Sequence, residues 1–563
     1  MSARLKKIPM AAAWILAVSL CVSCSKSTSE SKDGGPDSGL QDAAQADGGN
    51  DVGADSDGDT DGDTDADTDS DADNDSDADG DSDWDCGNPD PTCCVHVDWA
   101  EQAHGCQVNS GRGVAALSDG SSIITGQFVM DVDFGSGVSL YTYNREIFVA
   151  KYDQNGTCVW ARMANGTVGN DSNDIDAFED DSFVITGYLG GTTVFGQGET
   201  NETTLTVTNP PYSIFLARYN SDGTLAWARQ GLGTAGERSL AVSVSKSGSI
   251  FIAGYFMQDI TLGKNEANET TLTAVGVTDI FIAKYNQNGL LEWAKSAGGD
   301  SSMGDSYGDE GYNIASFDNN SVMVTGQFDK NATFGRGEST EMTLVDSSGK
   351  TAIFIARYNT DGTFYWAKKF SNAYSYVKAA TDGEYTYVIG SYNKTITLGL
   401  GEPNETTLSC PSSTSACMFL AKFNPDGSLV WLKGAISDES SEGEEIAIDK
   451  DGFIIISGYS WKITYFDKGE ASETCISEGH FIAKYNEDGA ILWVKHAFDA
   501  DIVTGMDISD DGSIYFAGYF AEGGIWGPSD PNQTFLTMDP SCPYDTSCEP
   551  GVCTEIFNSK FSP

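Results

Sequence analysis

The fold is decided by a stretch that reads IFVAKYDQNGTCVWAR at residues 147–162 and returns five more times along the chain. The later copies read IFLARYNSDGTLAWAR (214–229), IFIAKYNQNGLLEWAK (280–295), IFIARYNTDGTFYWAK (353–368), MFLAKFNPDGSLVWLK (418–433) and HFIAKYNEDGAILWVK (480–495). Each copy holds two apolar runs rich in β-branched and aromatic residues. They are separated by an Asn/Asp turn that ends in glycine, a residue that readily adopts positive φ. Each copy is therefore predicted to be a β-hairpin.

A second repeated unit lies between these hairpins and occurs seven times. Two examples are LAVSVSKSGSIFIAGYF (240–256) and YNIASFDNNSVMVTGQF (312–328), again two short strands around a turn. A glycine stands before its last two residues in every copy, where backbone from a neighbouring unit can approach closely: Gly126, Gly187, Gly254, Gly326, Gly390, Gly458 and Gly518. Four strands in a period of about 65 residues predict the blade of a β-propeller. Segments such as TVFGQGETNETTLTVTN (193–209) predict an extra hairpin in each blade.

The two ends of the repeat region are complementary. IFNSKF (556–561) is the first half of the hairpin unit without its second half, and VDWAE (97–101) is the second half without its first. Counting both gives seven tryptophan strands, marked by Trp99, Trp160, Trp227, Trp293, Trp366, Trp431 and Trp493. We therefore predict an all-β, seven-bladed β-propeller of four-stranded antiparallel blades over residues 86–563. Its last blade would take three strands from Gly505 onward and its outer strand from the N-terminal side, which removes free sheet edges.

These blades resemble the SBBP family of bacterial β-propeller repeats over about residues 95–561. That resemblance implies a propeller fold and a cell-envelope setting, and the family as such carries no assigned reaction. The YNxDGxLxW turn also resembles the tryptophan-docking blades of quinoprotein dehydrogenases, in which a tryptophan of each outer strand packs between blades. The chain departs from those enzymes because it has seven units, and because its adjacent Cys93 and Cys94 precede the first blade.

The first 23 residues have the pattern of an export signal, with Arg4, Lys6 and Lys7 before an apolar run at 10–22. The sequence LCVSC that ends at Cys24 resembles the lipobox of bacterial lipoproteins, with Cys21 where leucine is usual. This resemblance implies lipidation of Cys24, attachment to a lipid bilayer and, from the following Ser25, an outer-membrane lipoprotein of a Gram-negative bacterium, either surface-exposed or periplasmic. An ordinary signal peptide with incidental cysteines is the alternative.

Residues 24–85 are predicted to form a disordered acidic tether. Aspartate occupies every odd position from Asp55 to Asp85, so the segment has little apolar surface to bury and its charges repel one another. Weak calcium condensation on these carboxylates is the competing interpretation. The whole chain has a formal charge of −52, which disfavours nucleic acid as a partner.

Cysteine usage is typical of an oxidising compartment. Three cysteines precede the opening strand and three precede the closing strand, so we expect at least one disulfide across the closure, with pairing inside the N-terminal group as the alternative: Cys86, Cys93, Cys94, Cys542, Cys548 and Cys553. Cys410 and Cys417 are expected to pair locally. Cys475 is the most isolated cysteine and the expected unpaired one.

No residue set in the sequence predicts catalysis. The four histidines are scattered, and no GxSxG, HExxH or phosphate-binding glycine loop appears in the sequence context that its chemistry requires. Acidic residues that enter the innermost strands are expected to converge at one channel mouth, among them Asp171, Asp174, Asp499 and Asp501. There they could bind calcium or a basic partner, and the metal candidates are Asp305, Asp309, Glu310, Glu442, Glu444 and Glu445. The alternative is that they only solvate loops.

The sequence therefore favours a monomeric propeller that serves as a binding, adhesion or interaction scaffold for an unknown protein or glycan. The alternative is an extracellular polymer-processing enzyme, a glycan lyase or hydrolase, with its site at the channel mouth. Sequons such as Asn201 and Asn268 are interpreted as turn chemistry.

Overall fold

The computed structural model describes residues 23–24, 95–105, 107–208, 212–300, 308–347, 351–411, 416–499, 502–521, 523–528, 532–537 and 554–562. The regular structure in these ranges is all β. They include no helix with the length and apolar character needed to cross a membrane. Contacts divide the chain into two units, Lys26–Asp85 and a second that joins Met1–Ser25 to Cys86–Pro563. The first unit, and with it the predicted tether, lies outside the described residues.

The described residues of the second unit contain seven sheets built on one plan, each with four antiparallel strands that are consecutive in space. We number them sheets 1 to 7 and their strands first to fourth. Sheet 1 is Ser110–Ala116, Ser122–Phe128, Glu146–Tyr152 and Cys158–Met163; sheet 2 is Asn165–Ala177, Phe183–Phe195, Ser213–Tyr219 and Leu225–Gln230; sheet 3 is Glu237–Val244, Ile250–Phe256, Asp279–Tyr285 and Leu291–Ala297. Sheet 4 is Glu310–Ser316, Val322–Asp329, Thr351–Tyr358 and Phe364–Phe370; sheet 5 is Ala373–Thr381, Thr386–Tyr392, Cys417–Phe423 and Leu429–Ser437; sheet 6 is Ser441–Ile448, Ile454–Ser460, Gly479–Tyr485 and Ile491–Asp499.

Sheet 7 joins the two ends of the repeat region. Its strands are Ile502–Ile508, Ile514–Phe520, Glu555–Ser562 and, from the N-terminal side, His96–Gly105. The last two pair antiparallel, for example Ala100 with Ser559. The predicted exchange of an outer strand is therefore present, although the sheet begins at Ile502, slightly before Gly505. A two-residue strand, Ser23–Cys24, pairs with residues 493–494.

The predicted extra hairpins are also present. Each lies between the second and third strands of its sheet: Asp131–Asp133 with Ser139–Tyr141, the end of Phe183–Phe195 with Thr203–Thr206, Asp259–Leu262 with Thr270–Thr273, Asn331–Phe334 with Met342–Val345, Thr395–Leu398 with Thr406–Ser409, Thr464–Phe466 with Thr474–Ile476, and Gly524–Trp526 with Thr534–Leu536. The end of a fourth strand often pairs with the next sheet's hairpin. Ile436 at the end of sheet 5 pairs with Tyr465 in the hairpin of sheet 6.

The core lies between consecutive sheets. The second and third strands are almost entirely buried, because both of their faces are covered by neighbouring sheets. One apolar cluster combines Trp99, Tyr515 and Ile556 of sheet 7 with Phe148 and Tyr152 of sheet 1. Packing between sheet 7 and sheet 1 thus resembles packing between sheets adjacent in sequence.

The tryptophans of the fourth strands dock on the following sheet, as the resemblance to tryptophan-docking blades implies. The indole Nε1 of Trp293 donates to the Thr360 carbonyl at 3.0 Å, and Trp366 donates to the Pro425 carbonyl at 3.0 Å. Trp99 makes the same contact from sheet 7 to the Gln154 carbonyl of sheet 1, also at 3.0 Å.

Candidate functional site

A cavity of about 310 Å³ is lined by the first strands of all seven sheets. We call it the central cavity. Its polar lining includes Asp174, Asp176, Lys378, Glu445 and Asp507. Most of the first strands also contain a bulge just before these residues, for example between Thr186 and Gly187, which pair with Asp174 and Ser172. The cavity therefore gathers ionisable groups that are far apart in sequence.

Most of these carboxylates bind backbone of the adjacent first strand. Asp174 Oδ2 accepts from Val242 N at 2.8 Å, and Asp176 Oδ2 accepts from Val244 N at 2.7 Å. Asp507 Oδ2 accepts from Ala116 N at 2.8 Å, and in sheet 4 the amide oxygen of Asn313 accepts from Ala379 N at the same distance. An innermost strand otherwise leaves such N–H groups unpaired. These side chains hold neighbouring sheets together.

Burial decides the protonation of the same groups. It raises the pKa of Asp174 and of Asp507 to about 6, against the opposing effect of their backbone hydrogen bonds. Asp176 has a pKa well above its ordinary value because of burial and then of the nearby Asp507 charge. Burial also raises the pKa of Glu445 to about 7, although Lys378 lies 3.1 Å away and favours the carboxylate. At neutral pH the cavity therefore carries less negative charge than its composition suggests.

The metal candidates that the structure describes are not gathered into one cluster. The described residues contain no group of three or more His, Cys, Asp or Glu side chains placed to hold an ion. Asp309 is buried and accepts from Gly299 N at 2.9 Å and Asp329 N at 2.8 Å. The side-chain oxygen of Asn170 accepts from Gly190 N at 2.9 Å in a similar way. Asp309 therefore acts as a hydrogen-bond acceptor for backbone N–H groups. Asp305 lies outside the described residues.

The remaining metal candidates are also separated by their partners. Glu444 contacts the buried His480 ring at 3.1 Å, and Glu445 pairs with Lys378. Burial, followed by the Glu444 charge, raises the pKa of Glu442. Burial raises the pKa of Glu310 to about 7, opposed by Arg238. Glu444 and Glu445 each have a side-chain partner of their own, and Asp305 lies outside the described residues, so the shared carboxylate site stays a prediction of the sequence.

One basic residue stands among acidic ones where the first strands begin. In sheets 2, 3, 4 and 6, the first strand carries a charged residue opposite the residue that directly follows the glycine of the second strand. These charged residues are Asp171, Arg238, Glu310 and Glu442. Arg112 of sheet 1 lies 3.7 Å from Asp171. The predicted acidic mouth is therefore partly basic. The sequence contains one signal of this basic character. Arg238 stands at the first-strand position that is acidic in sheets 2, 4 and 6, and an interpretation based only on carboxylates misses it.

The cysteine predictions have mixed outcomes. The disulfide between Cys410 and Cys417 is confirmed, with a Cα–Cα distance of 5.7 Å. The prediction for Cys475 was wrong, since it is disulfide-bonded. Within the described ranges the free thiol is Cys158, whose burial raises its pKa to about 12. The six cysteines proposed to bridge the closure lie outside the described residues, as does Asp501.

The sequon asparagines bind the outer strand of their own sheet. Asn201 Nδ2 donates to the Leu225 carbonyl at 3.1 Å, and Asn268 Nδ2 donates to the Leu291 carbonyl at 3.0 Å. Both side chains therefore fix the position of the hairpin turn. The interpretation as turn chemistry agrees with these contacts.

Comparison with known proteins agrees with a repeat architecture. An uncharacterized WD repeat-containing protein of Acanthamoeba polyphaga mimivirus is 23% identical over 509 residues, which cover 76% of this chain and 36% of that protein. The chain thus spans about a third of the length of this relative. No family model matches the chain.

Solved structures with similarity to the chain include propellers and polysaccharide-acting enzymes. The WD40 β-propeller domain of Doa1 has 9% identity and a TM-score of 0.34 over 80% of this chain and 98% of that domain. The phage phi92 endosialidase has 11% identity and a TM-score of 0.35 over 83% of this chain and 69% of that structure. Such low scores carry no functional argument. The repeated four-stranded sheets, together with the WD repeat relative, make the chain a β-propeller repeat protein.

Proposed function

We propose that the seven sheets are the blades of one closed propeller and that this propeller is a binding scaffold of the cell envelope. Support for closure comes from the contacts of sheet 7 with sheet 1. Asp507 accepts from Ala116 N as Asp176 does from Val244 N, and Trp99 docks on Gln154 as Trp293 docks on Thr360. Equivalent contacts at the junction of the last and first sheets are expected only if the blades form a ring.

The functional proposal rests on the hydrogen bonds and the ion pair that the cavity carboxylates already make. General acid–base catalysis needs a titratable group free to reach the substrate. Asp174, Asp176 and Asp507 instead accept backbone N–H groups of the next blade, and Glu445 pairs with Lys378. The cavity chemistry therefore serves blade cohesion. Recognition is left to the blade ends, where loops and strand termini can vary without loss of the fold.

One observation favours the enzyme alternative. His480 and Glu444 form a pair at 3.1 Å near the start of the sheet 6 strands, and such a pair could act as an acid–base couple on a polymer. Against this, the His480 ring is only 1% exposed and packs on Tyr459 and Phe498.

The experiment that separates the two functions measures retention and turnover on the same sample. Purified protein is incubated with extracted envelope polysaccharides, and both bound material and polymer length are recorded. A scaffold retains ligand and leaves polymer length unchanged. Shortening of the polymer that is lost in His480→Gln would instead establish the enzyme.

We further propose that acylated Cys24 anchors the propeller to the bacterial outer membrane through residues 24–85. Support comes from the sequence pattern around Cys24 and the aspartate repeat. Labelled palmitate should enter the wild-type protein but not Cys24→Ser. Protease added to intact cells should release a folded propeller if it faces outward, and protection would place it in the periplasm.

A further inference from the structure

Three arginines from two different sheets and a linking loop meet at the start of the first strands of sheets 1 to 3. Arg145 Nη2 donates to the Tyr188 hydroxyl at 3.0 Å, and the guanidinium of Arg238 lies over the Tyr188 ring, 4.4 Å from its centre. Arg112 reaches Asp171 at 3.7 Å, and the Tyr188 hydroxyl lies 3.4 Å from the same carboxylate. We call Arg112, Arg145 and Arg238 the arginine cluster.

The cluster has more positive charge than its surroundings neutralise. Asp171 is the carboxylate in contact with it, and all three arginines act on that group to lower its pKa, although burial has the larger, raising effect. The charge of Arg238 also lowers the pKa of Glu310, but burial has the larger effect and raises this pKa to about 7. A local excess of cations is unexpected in a chain with a formal charge of −52.

Part of the hydrogen-bonding capacity of the cluster is also unused. Among the described residues, the Arg238 guanidinium makes no hydrogen bond or ion pair. The Nε of Arg112 and the Oδ1 of Asp171 are buried without a hydrogen-bond partner, and the Asp171 side chain is only 4% exposed. Buried polar atoms are rarely left unpaired in a finished structure. These atoms point to a ligand that completes the site.

The chemistry of the cluster selects a carboxylate. Guanidinium groups bind planar carboxylates through two parallel hydrogen bonds. The negative charge of the whole chain opposes the approach of polyanions and dianions more than that of a monoanion. Tyr212 packs edge-on against Tyr188 at 4.9 Å and is only partly buried, and the Arg238 guanidinium lies over its ring, 5.4 Å from the centre.

We propose that the arginine cluster binds the carboxylate of a small monoanionic ligand, of which an acidic sugar is one source and a simple organic acid the other. This inference rests on the proposed scaffold function and gives its ligand class. Arg238 supplies the free bidentate donor, Arg112 supplies a second donor, and Asp171 accepts a hydroxyl or water of the ligand.

The test is calorimetric titration of the full chain with galacturonate, galactose, acetate and inorganic phosphate. Galacturonate should bind, neutral galactose should not, and phosphate should bind more weakly than galacturonate. Comparable binding of acetate would assign recognition to the carboxylate alone, whereas weaker binding of acetate would assign it to an acidic sugar. Arg238→Gln should weaken galacturonate binding about tenfold or more, the usual effect of losing a charged hydrogen bond.

Arg162→Gln is the matched control, because Arg162 is exposed, lies over Trp160 at 5.8 Å and carries the same charge away from the cluster. Its affinity should equal that of the wild type. Asp171→Asn should strengthen galacturonate binding by removing the competing carboxylate. Equal affinities of wild type and Arg238→Gln, or equal binding of galactose and galacturonate, would overturn the inference. If Arg238→Gln leaves galacturonate affinity unchanged while envelope polysaccharide is still retained, the scaffold function stands and only this site is refuted.

Discussion

At the residue scale, the hairpin turns require glycine because a tryptophan of the preceding sheet packs against the turn. Gly362 has a φ of +80°, and a Cβ atom there would lie 2.7 Å from the Trp293 ring. Trp366 stands in the same relation to Gly427. Positive φ alone would admit asparagine, but the ring leaves no space for any side chain. The Asn-x-Asp-Gly turn is therefore both a hairpin signal and a docking surface.

Gly362→Ala is expected to destabilise the propeller by about 2–4 kcal/mol, from backbone strain and from displacement of Trp293. Gly337→Ala is the matched control, since Gly337 has a φ of +79° in the same sheet but no atom within 4 Å of its Cβ position. Denaturant unfolding should show a loss of about 1 kcal/mol for the control. Equal losses would refute the role of the tryptophan contact.

The cavity carboxylates give a second prediction at this scale. The folded pKa of Asp507 is about 6, above the value near 4 of an unfolded chain, so the folded protein keeps a proton that the unfolded chain releases. The stability from this group is full below about pH 4 and is lost as the pH rises through about 6.

Asp507→Asn should therefore stabilise the protein at pH 7 by about 1–2 kcal/mol and have little effect at pH 4. The amide can still accept the Ala116 N–H, as Asn313 does from Ala379 in sheet 4. Asp507→Ala removes the acceptor and should destabilise at both pH values. Thermal unfolding across pH 4–8 measures both variants, and an unchanged pH slope in Asp507→Asn would contradict the prediction.

At the element scale, each hairpin insertion is tied to its surroundings. In sheet 6 the hairpin strand Thr464–Phe466 pairs with the end of the sheet 5 strand Leu429–Ser437, so one element bridges two sheets. In sheet 5 the hairpin is followed by the disulfide between Cys410 and Cys417, which joins its end to the third strand. These insertions lengthen the repeat and at the same time cover sheet edges.

The double variant Cys410→Ser with Cys417→Ser should lower the free energy of unfolding by about 2 kcal/mol, because a short closed loop regains its freedom in the unfolded chain. The same variant should be cut faster by protease between residues 410 and 417. The wild type treated with a reductant mild enough to spare other disulfides serves as its control. Unchanged stability and cleavage would mean that the disulfide adds nothing to the strand pairing of sheet 5.

At the scale of the whole molecule, the strand His96–Gly105 completes sheet 7 and carries Trp99 to sheet 1. Without it, the strand Glu555–Ser562 would present an open edge, and the junction between the last and first sheets would lose its docking tryptophan. Repeat arrays depend on such neighbour contacts for stability. Completion of sheet 7 thus depends on two segments that are far apart in the sequence.

Deletion of residues 1–106 is expected to lower the melting temperature by about 1 °C for each kcal/mol lost in a domain of this size, and to cause self-association through the open edge. Deletion of residues 1–85 keeps the strand and should leave the melting temperature unchanged. Thermal unfolding and size-exclusion chromatography compare the two truncations. Equal behaviour would contradict the proposed closure.

The sequence by itself determined the strand pairs, the extra hairpins, the exchange of the outer strand and the pairing of Cys410 with Cys417. These features depend on local turn chemistry and on a pattern repeated often enough to be recognised. The docking of Trp293 and its equivalents was anticipated only through resemblance to other propellers.

Only the tertiary structure decided what the ionisable residues do. Asp174 and Asp507 bind backbone of a different sheet, Asp309 supports a loop, and Arg238 meets Arg112 and Arg145 around Asp171. Most of their partners lie in a neighbouring sheet and are separated from them by tens to hundreds of residues. The free energy of a charge depends on the groups and the solvent within a few ångströms of it, and sequence order does not fix that distance.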